Sequence, residues 1–273
     1  MKSYLNTAWN NAVTYLVTQH KDAELGSGSG FFWQSGERTF LISNWHNFSG
    51  RDPATSQPLK ADGGLPDRVS FTVFKILSEP DAHGFVEITS VVLTKEICST
   101  TWENPIWLEH PVLRREVDVA ALDITDDLLG HKLEVKYANL LENDAAVQQY
   151  ASQDVFIVGY PLGLVATAPI PVWKRGTIAT DPTYDPDGLP KIFVDSATRE
   201  GMSGSVVIAR HLSFGPYKRL NGTVHNVVMA QIDRILGIYS GRIGPHDVKA
   251  QLGIVWKRHL IDEVVAGGTV AVV

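Results

Sequence analysis

Beyond residue 20 the chain is a succession of short apolar, β-branched and aromatic runs, each soon ended by Gly, Pro, Asp or Asn. That rhythm is what most restricts the fold. A parallel βαβ unit needs a helical crossover of about a dozen residues between strands, whereas runs of about four to eight residues broken by turn formers suit antiparallel barrels and sandwiches. Eleven segments read as strands: "GFFWQS", "TFLISN", "RVSFTVFKIL", "FVEITSVVL", "DVAALDI", "DVFIVGY", "PVWKRGTIAT", "KIFVDS", "GSVVIAR", "TVHNVVMAQI" and "ILGIYS". The expected class is all-β, with two six-stranded halves divided near residues 130 to 150. A helix is expected at each end. Tyr4, Leu5, Ala8, Trp9, Ala12, Val13, Leu16 and Val17 recur at steps of three and four, with Ser3 as N-cap. In "WKRHLIDEVVAGG" the same period runs through Leu260, Ile261, Val264 and Val265 and stops at Gly267 and Gly268.

With 273 residues, 44% of them apolar, the chain can bury a substantial core, and the net charge of −6 gives no basic field for a phosphate backbone. Nucleic acid is therefore not an expected partner. No stretch approaches the roughly 18 apolar residues of a membrane span. Asn6, Asn10, Asn11 and Thr14 interrupt anything resembling an export signal, so the expected location is cytoplasmic, without a membrane partner. Cys98 is the lone cysteine; no intrachain disulfide can form, which fits a reducing compartment. "GSGSG" at 26–30 looks like a phosphate-cradling loop, but such loops open a helix and here "FFW" continues as a strand. Asp181, Asp185 and Asp187 do not have EF-hand spacing and read as a solvated turn, and zinc-type histidine spacing is absent, so neither metal nor cofactor is expected.

The stretch "ATREGMSGSVVIA" places Ser203 between Gly201 and Gly204 just before a β-branched run. A serine used for acyl transfer needs an exposed oxygen, a histidine to take its proton, a carboxylate to fix that histidine, and backbone N–H groups aimed at the developing oxyanion. Gly201 allows a turn that lets the N–H groups of Gly201 and Ser203 converge. Alone, the stretch fits a Gly/Ser turn between strands equally well. His46 in "FLISNWHNFSG" comes directly off a strand, and Asp118 opens "DVAALDI"; each alone also reads as a structural residue.

The ordered set "GSGSGFFW…TFLISNWH", "DVAALDI", "VGYPLGL…GTIAT", "EGMSGSVV" and "LGIYSG", spanning most of residues 26 to 256, resembles the trypsin-like serine peptidases, in particular the bacterial HtrA/Deg branch. The resemblance implies a single peptidase domain over 1–273. It would hold two six-stranded antiparallel β-barrels, a first lobe at 21–140 and a second at 141–256, with the active site between them. It implies His46 as general base and then acid, Asp118 as its orienting carboxylate, Ser203 rather than Ser196 or Ser205 as nucleophile, and Gly201 and Ser203 as oxyanion-hole donors. Ala197, Thr198, Ser240 and Arg242 would line the substrate cleft, and no carboxylate falls at its base, so small or medium apolar side chains are the expected preference. Protein or peptide substrates follow as partners.

Departures from the family pattern set further expectations. Met202 stands where the family has Asp or Asn, which excludes activation by an ion pair to a newly cut N-terminus. Ser205 replaces a second glycine, Trp45 precedes the histidine in place of a small residue, and no PDZ segment is expected after the last helix. Because residues 49 to 68 begin directly after His46, an activating protein partner is a possible requirement for ordering the cleft. Two other readings compete. An α/β-hydrolase would use Ser203 with Asp233 or Asp247 and His246 or His259, but "SVVIAR" is β-branched where that fold needs a helix. A non-catalytic or partner-gated binding module of the same fold would keep the cleft for recognition alone.

Overall fold

β-branched and aromatic residues set the local structure of nearly the whole chain. The computed structural model describes residues 2–4, 8–79, 81–83, 85–163, 170–197, 200–242 and 252–272. The first half contributes β1 (Lys2–Tyr4), β2 (Val13–His20), β3 (Ala23–Ser35), β4 (Arg38–Ser43), β5 (Arg68–Ile76), β6 (Phe85–Glu96), β7 (Leu108–Glu109) and β8 (Ala120–Asp123). The second contributes β9 (Asp154–Gly159), β10 (Val172–Ile178), β11 (Lys191–Asp195), β12 (Val206–Phe214), β13 (Tyr217–Lys218), β14 (Val224–His225), β15 (Met229–Arg242) and β16 (Leu252–Lys257), followed by the short β17 (Thr269–Val270). Among the described residues, one sheet has nine strands in the order β1-β6-β5-β2-β3-β4-β8-β7-β17, and six strands close into a barrel, β10-β11-β16-β15-β12-β9. No described helix is long and apolar enough to cross a membrane.

The all-β class stands, and several details of the expected architecture are corrected. The first half is a nine-stranded sheet rather than a six-stranded barrel, because β1 adds to the edge at β6 and β17 returns from the far end of the chain to pair with β7. The N-terminal segment is not a helix. A 3-10 turn at Ala8–Asn11 leads into β2, which lies between β3 and β5, and Val13, Thr14, Val17 and Thr18 supply the β-branched side chains that favour this. Val13 and Leu16 face opposite cores, so burial on both faces of β2 gives the three-and-four spacing, and pairing on both edges makes the segment a strand. "TVHNVVMAQI" and "ILGIYS" are largely one strand, β15, and β16 was not foreseen. The last helix, Arg258–Gly267, buries Leu260, Ile261, Val264 and Val265, the residues whose period predicts it.

Period-two alternation divides the interior into three layers. Phe32 and Leu41 face a core within the first sheet, with Leu16, Phe48, Phe71 and Trp107. Their neighbours Phe31, Trp33, Phe40 and Ile42 face the other way, into a core shared with Val158, Val206, Ile208 and Ile238 of the barrel wall. The alternate residues of that wall, Val155, Ile157, Val207 and Ala209, fill the barrel interior. The sheet and the barrel thus meet across one continuous apolar layer, which also receives Trp9 and the last helix.

Asp233 pins the N-terminal turn to this layer. The buried carboxylate pairs with Arg210, its cross-strand neighbour, through two hydrogen bonds of 2.7 and 2.9 Å, and accepts from Trp9 Nε1 at 3.1 Å. The Arg210 guanidinium also lies over the rings of Phe156 and Trp173. Removing the carboxylate strands a partly buried cation and an indole donor, so Asp233→Ala is expected to lower unfolding free energy by about 3 kcal/mol. Urea denaturation followed by tryptophan fluorescence measures it.

Candidate active site

His46 owes its place to the buried end of β4, whose residues Thr39 to Ser43 are all buried. After β4, Asn44 stays extended and the chain makes a short helix, α1 (Trp45–Ser49), ended by Gly50 in the left-handed region, whose N–H bonds the His46 carbonyl at 3.0 Å. Trp45 and Phe48 fix α1 by packing inward, and Trp45 Nε1 donates to the buried Glu109 at 2.7 Å. A large residue before the histidine is therefore an anchor.

Asp118, 2% exposed at its side chain, grips His46 twice. Oδ1 accepts the His46 backbone N–H at 2.9 Å, and Oδ2 lies 2.6 Å from Nδ1. Asn44 Nδ2 donates to the Asp118 carbonyl at 2.7 Å, tying the two chain segments together. With the Nδ1 proton directed at Asp118, the neutral ring carries its lone pair on Nε2. Burial is the largest single influence on His46 and lowers its pKa. The charge of Asp118, its hydrogen bond and the charge of Asp52 together outweigh burial, so the group sits above its ordinary value of 6.5. Asp52 itself is held low chiefly by the Thr55 N–H, with the Ala54 N–H assisting against partial burial, and so stays anionic.

Ser240 joins Asp118 to Ser203. The β15–β16 register steps from Tyr239 opposite Val255 to Gly241 opposite Ile254, which leaves Ser240 as the extra residue of a bulge. Its Oγ donates to Asp118 Oδ2, and its carbonyl accepts from Ser203 Oγ at 3.4 Å. His46, Asp118, Ser203 and Ser240 are thus brought together, with the Ser203 hydroxyl resting on Ser240 rather than on the imidazole.

The loop carrying Ser203 is held by its carbonyls. In a trans peptide the N–H points opposite the C=O of the same plane, and the described bonds are all trans. Leu162 N–H bonds the Glu200 carbonyl at 2.6 Å, which fixes the direction of the Gly201 N–H; Ser205 N–H bonds the Met202 carbonyl at 3.0 Å, which fixes that of Ser203. Among the described residues the N–H groups of Gly201 and Ser203 have no acceptor. Met202 is fully buried in the barrel interior with Val155, Ile157 and Val207, so packing supplies the anchor. Gly204, at φ 87°, has no room for a side chain: a Cβ would lie 1.9 Å from the Ser29 carbonyl oxygen.

Of the other candidates, Ala197 is exposed after β11 and its carbonyl accepts from Lys174 Nζ, Arg242 is exposed at the end of β15, and Thr198 lies outside the described residues. Asp181 accepts from Thr183, Asp187 pairs with Lys191 at 2.7 Å and Asp185 with Lys257 of β16 at 2.5 Å, so these carboxylates shape the turn and tie it to the barrel. Cys98 is no rival nucleophile, since burial and then the charge of Asp67 push its thiol up to about 11. Sequence reading missed Asn47, which donates to the Ser203 carbonyl at 3.3 Å, and Asp52, which sits in the loop after His46.

The raised His46 pKa has a definite sign. Its contribution to stability is fully present below 6.5 and is lost as pH rises through the folded-state midpoint. An NMR titration of the His46 ring should give a midpoint above 6.5, falling in Asp118→Asn and, by less, in Asp52→Asn.

The chain matches no protein-family model and no curated protein. Among solved structures it is similar to a serine endoprotease from Yersinia pestis, at 13% identity and TM-score 0.47 over 97% of this chain and 66% of that one. It therefore spans about two thirds of that protein's length. It is also similar to the Mycobacterium tuberculosis protease Rv3671c in an inactive form, at 16% identity and TM-score 0.42 over 94% of this chain and 88% of that one. An inactive serine-to-alanine variant of Rv3671c matches at 14% identity and TM-score 0.39, over 94% and 87% of the two chains.

Proposed function

We propose that the chain is a serine endopeptidase that hydrolyses peptide bonds of protein substrates through an acyl-enzyme on Ser203. The observation that carries the reading is the double hold of Asp118 on His46, linked through Ser240 to Ser203. A histidine fixed at both its backbone and Nδ1 presents Nε2 as a base in one direction, and the serine hydroxyl that Ser240 links to its carboxylate is the group such a base would activate.

Ser203 Oγ attacks the substrate carbonyl carbon while His46 Nε2 takes its proton, and Asp118 stabilises the imidazolium. The charge that develops on the carbonyl oxygen is met by the N–H groups of Gly201 and Ser203, whose lack of an internal acceptor supports this role. His46 returns its proton to the leaving amine as the C–N bond breaks. Water then enters by the same steps reversed in role, its proton going to His46 and its oxygen to the acyl carbon, releasing the acid and restoring Ser203. The edge of β15 from Ser240 to Arg242 is where an extended substrate backbone would pair, and Ala197, without a carboxylate beside it in the chain, suits small or medium apolar side chains.

A second reading has one observation in its favour. The Ser203 hydroxyl bonds Ser240 and not His46, which fits a site that a substrate or protein partner completes. Wild-type protein left unlabelled by a fluorophosphonate until a peptide or partner is added would favour it. On the main reading the wild type labels directly, Ser203→Ala abolishes both labelling and casein cleavage, and Asp118→Asn lowers kcat by about 10³ to 10⁴. Labelling that survives in Ser203→Ala would sink the assignment.

A further inference from the structure

The strand "GSGSG" was set aside as a phosphate loop, and the structure gives one of its serines a different use. Ser29 of β3 is fully buried where the first sheet meets the barrel. Its Oγ donates to the Gly201 carbonyl at 2.8 Å and accepts the Tyr160 N–H at 2.9 Å. Its backbone N–H donates to the Ser203 carbonyl at 2.8 Å, and its own carbonyl accepts from Ser43 Oγ at 2.8 Å. Three of these four contacts reach across the junction of the two halves, two of them to the loop that carries Ser203, and the fourth ties Ser29 to β4 of its own sheet.

We infer that Ser29 is a positioning residue which, on the peptidase reading above, locks the oxyanion loop with the Gly201 and Ser203 N–H groups facing the substrate. Two peptide planes meet at Gly201. The plane before it is held by Leu162 at the Glu200 carbonyl, and the plane after it is held by the Ser29 hydroxyl at the Gly201 carbonyl. Together they pin both dihedrals of a residue that has no Cβ to restrict them. Without the hydroxyl the second plane turns freely, the backbone on the Ser203 side of Gly201 loses its fixed orientation relative to the first plane, and the two N–H groups no longer converge on one point. The position calls for a neutral group that gives and takes a hydrogen bond at once. A hydroxyl does both, and alanine does neither. Ser29 therefore does from the neighbouring sheet what Met202 cannot do by charge from within the loop.

The test compares kcat, KM and tetrahedral-adduct binding in Ser29→Ala and wild type. Loss of a preorganised oxyanion donor acts on the transition state, so kcat is expected to fall about 10- to 100-fold with KM within about twofold. A peptide boronate, which forms a tetrahedral adduct on the serine, should weaken by a similar factor while the corresponding peptide amide binds unchanged. The Gly201 amide resonance in ¹⁵N-glycine-labelled protein should shift in parallel. Ser29→Cys keeps a γ atom in place but donates weakly, and it is expected to show the same split where the alanine variant does not fold. A kcat within twofold of wild type overturns the inference, as does equal weakening of boronate and amide, which would mark a general loosening. If wild type labels through Ser203 and Ser29→Ala keeps full kcat, the positioning role alone fails. If wild type neither labels nor cleaves, the peptidase reading fails first.

Discussion

The apolar layer between the nine-stranded sheet and the six-stranded barrel is the constraint on which the rest depends. Phe31, Trp33, Phe40 and Ile42 come to it from one side and Val158, Val206, Ile208 and Ile238 from the other, all fully or almost fully buried. Burying a side chain of this size contributes about 2 kcal/mol, against roughly 1 kcal/mol net for a typical hydrogen bond. The layer therefore brings the two halves together, and the polar contacts at its rim fix their orientation. Those contacts are short-reach: Ser29 to Gly201 and Ser203, Asn47 to Ser203, Ser240 to Asp118. A shift of one residue in β3 would turn Phe31 and Trp33 out of the layer and carry Ser29 to the wrong face.

Electrostatics at the site follow from the same burial. Asp118 lies in a nearly closed environment in which each of its oxygens has donors, the His46 N–H on one and the ring Nδ1 with the Ser240 hydroxyl on the other. That arrangement makes the imidazolium more favourable than burial alone would allow, and Asp52 reinforces it from the next loop. Residues 49 to 68 are themselves built around Asp52, whose carboxylate accepts from the N–H groups of Ala54 and Thr55 while its backbone pairs with Ser56 and Gln57. The start of the long loop after His46 is thus folded so that the Asp52 charge that acts on His46 is set in a defined place.

Much of this was legible in the sequence, and the failures have physical causes. His46 at a strand end, Asp118 at a strand start and Ser203 between two glycines are local patterns, and the chain order of the segments supplied the rest. The N-terminal strand was read as a helix because β2 buries apolar side chains on both faces, Val13 into one core and Leu16 into the other, which mimics a helical period; only pairing with β3 and β5 decides. The nine-stranded sheet depends on β17 returning to β7 over a separation no local signal reports. The bond of Ser240 to Asp118 was not foreseen, because it arises from a bulge set by the β15–β16 register. Ser29 was visible as part of a glycine-rich motif, but what it touches lies far along the chain.

The position of Met202 shows how the loop holds its shape without an ion pair. A buried carboxylate there would need a cationic partner, and the surrounding barrel interior offers Val155, Ile157, Ile178, Ile192, Val194 and Val207. A thioether fits such a cavity without a partner and draws the loop inward from one side. From the other side Ser29 and Leu162 hold the carbonyls flanking Gly201. Packing gives the loop its depth and hydrogen bonds give its peptide planes their direction. A loop anchored this way takes its shape from the docking of the barrel and the sheet.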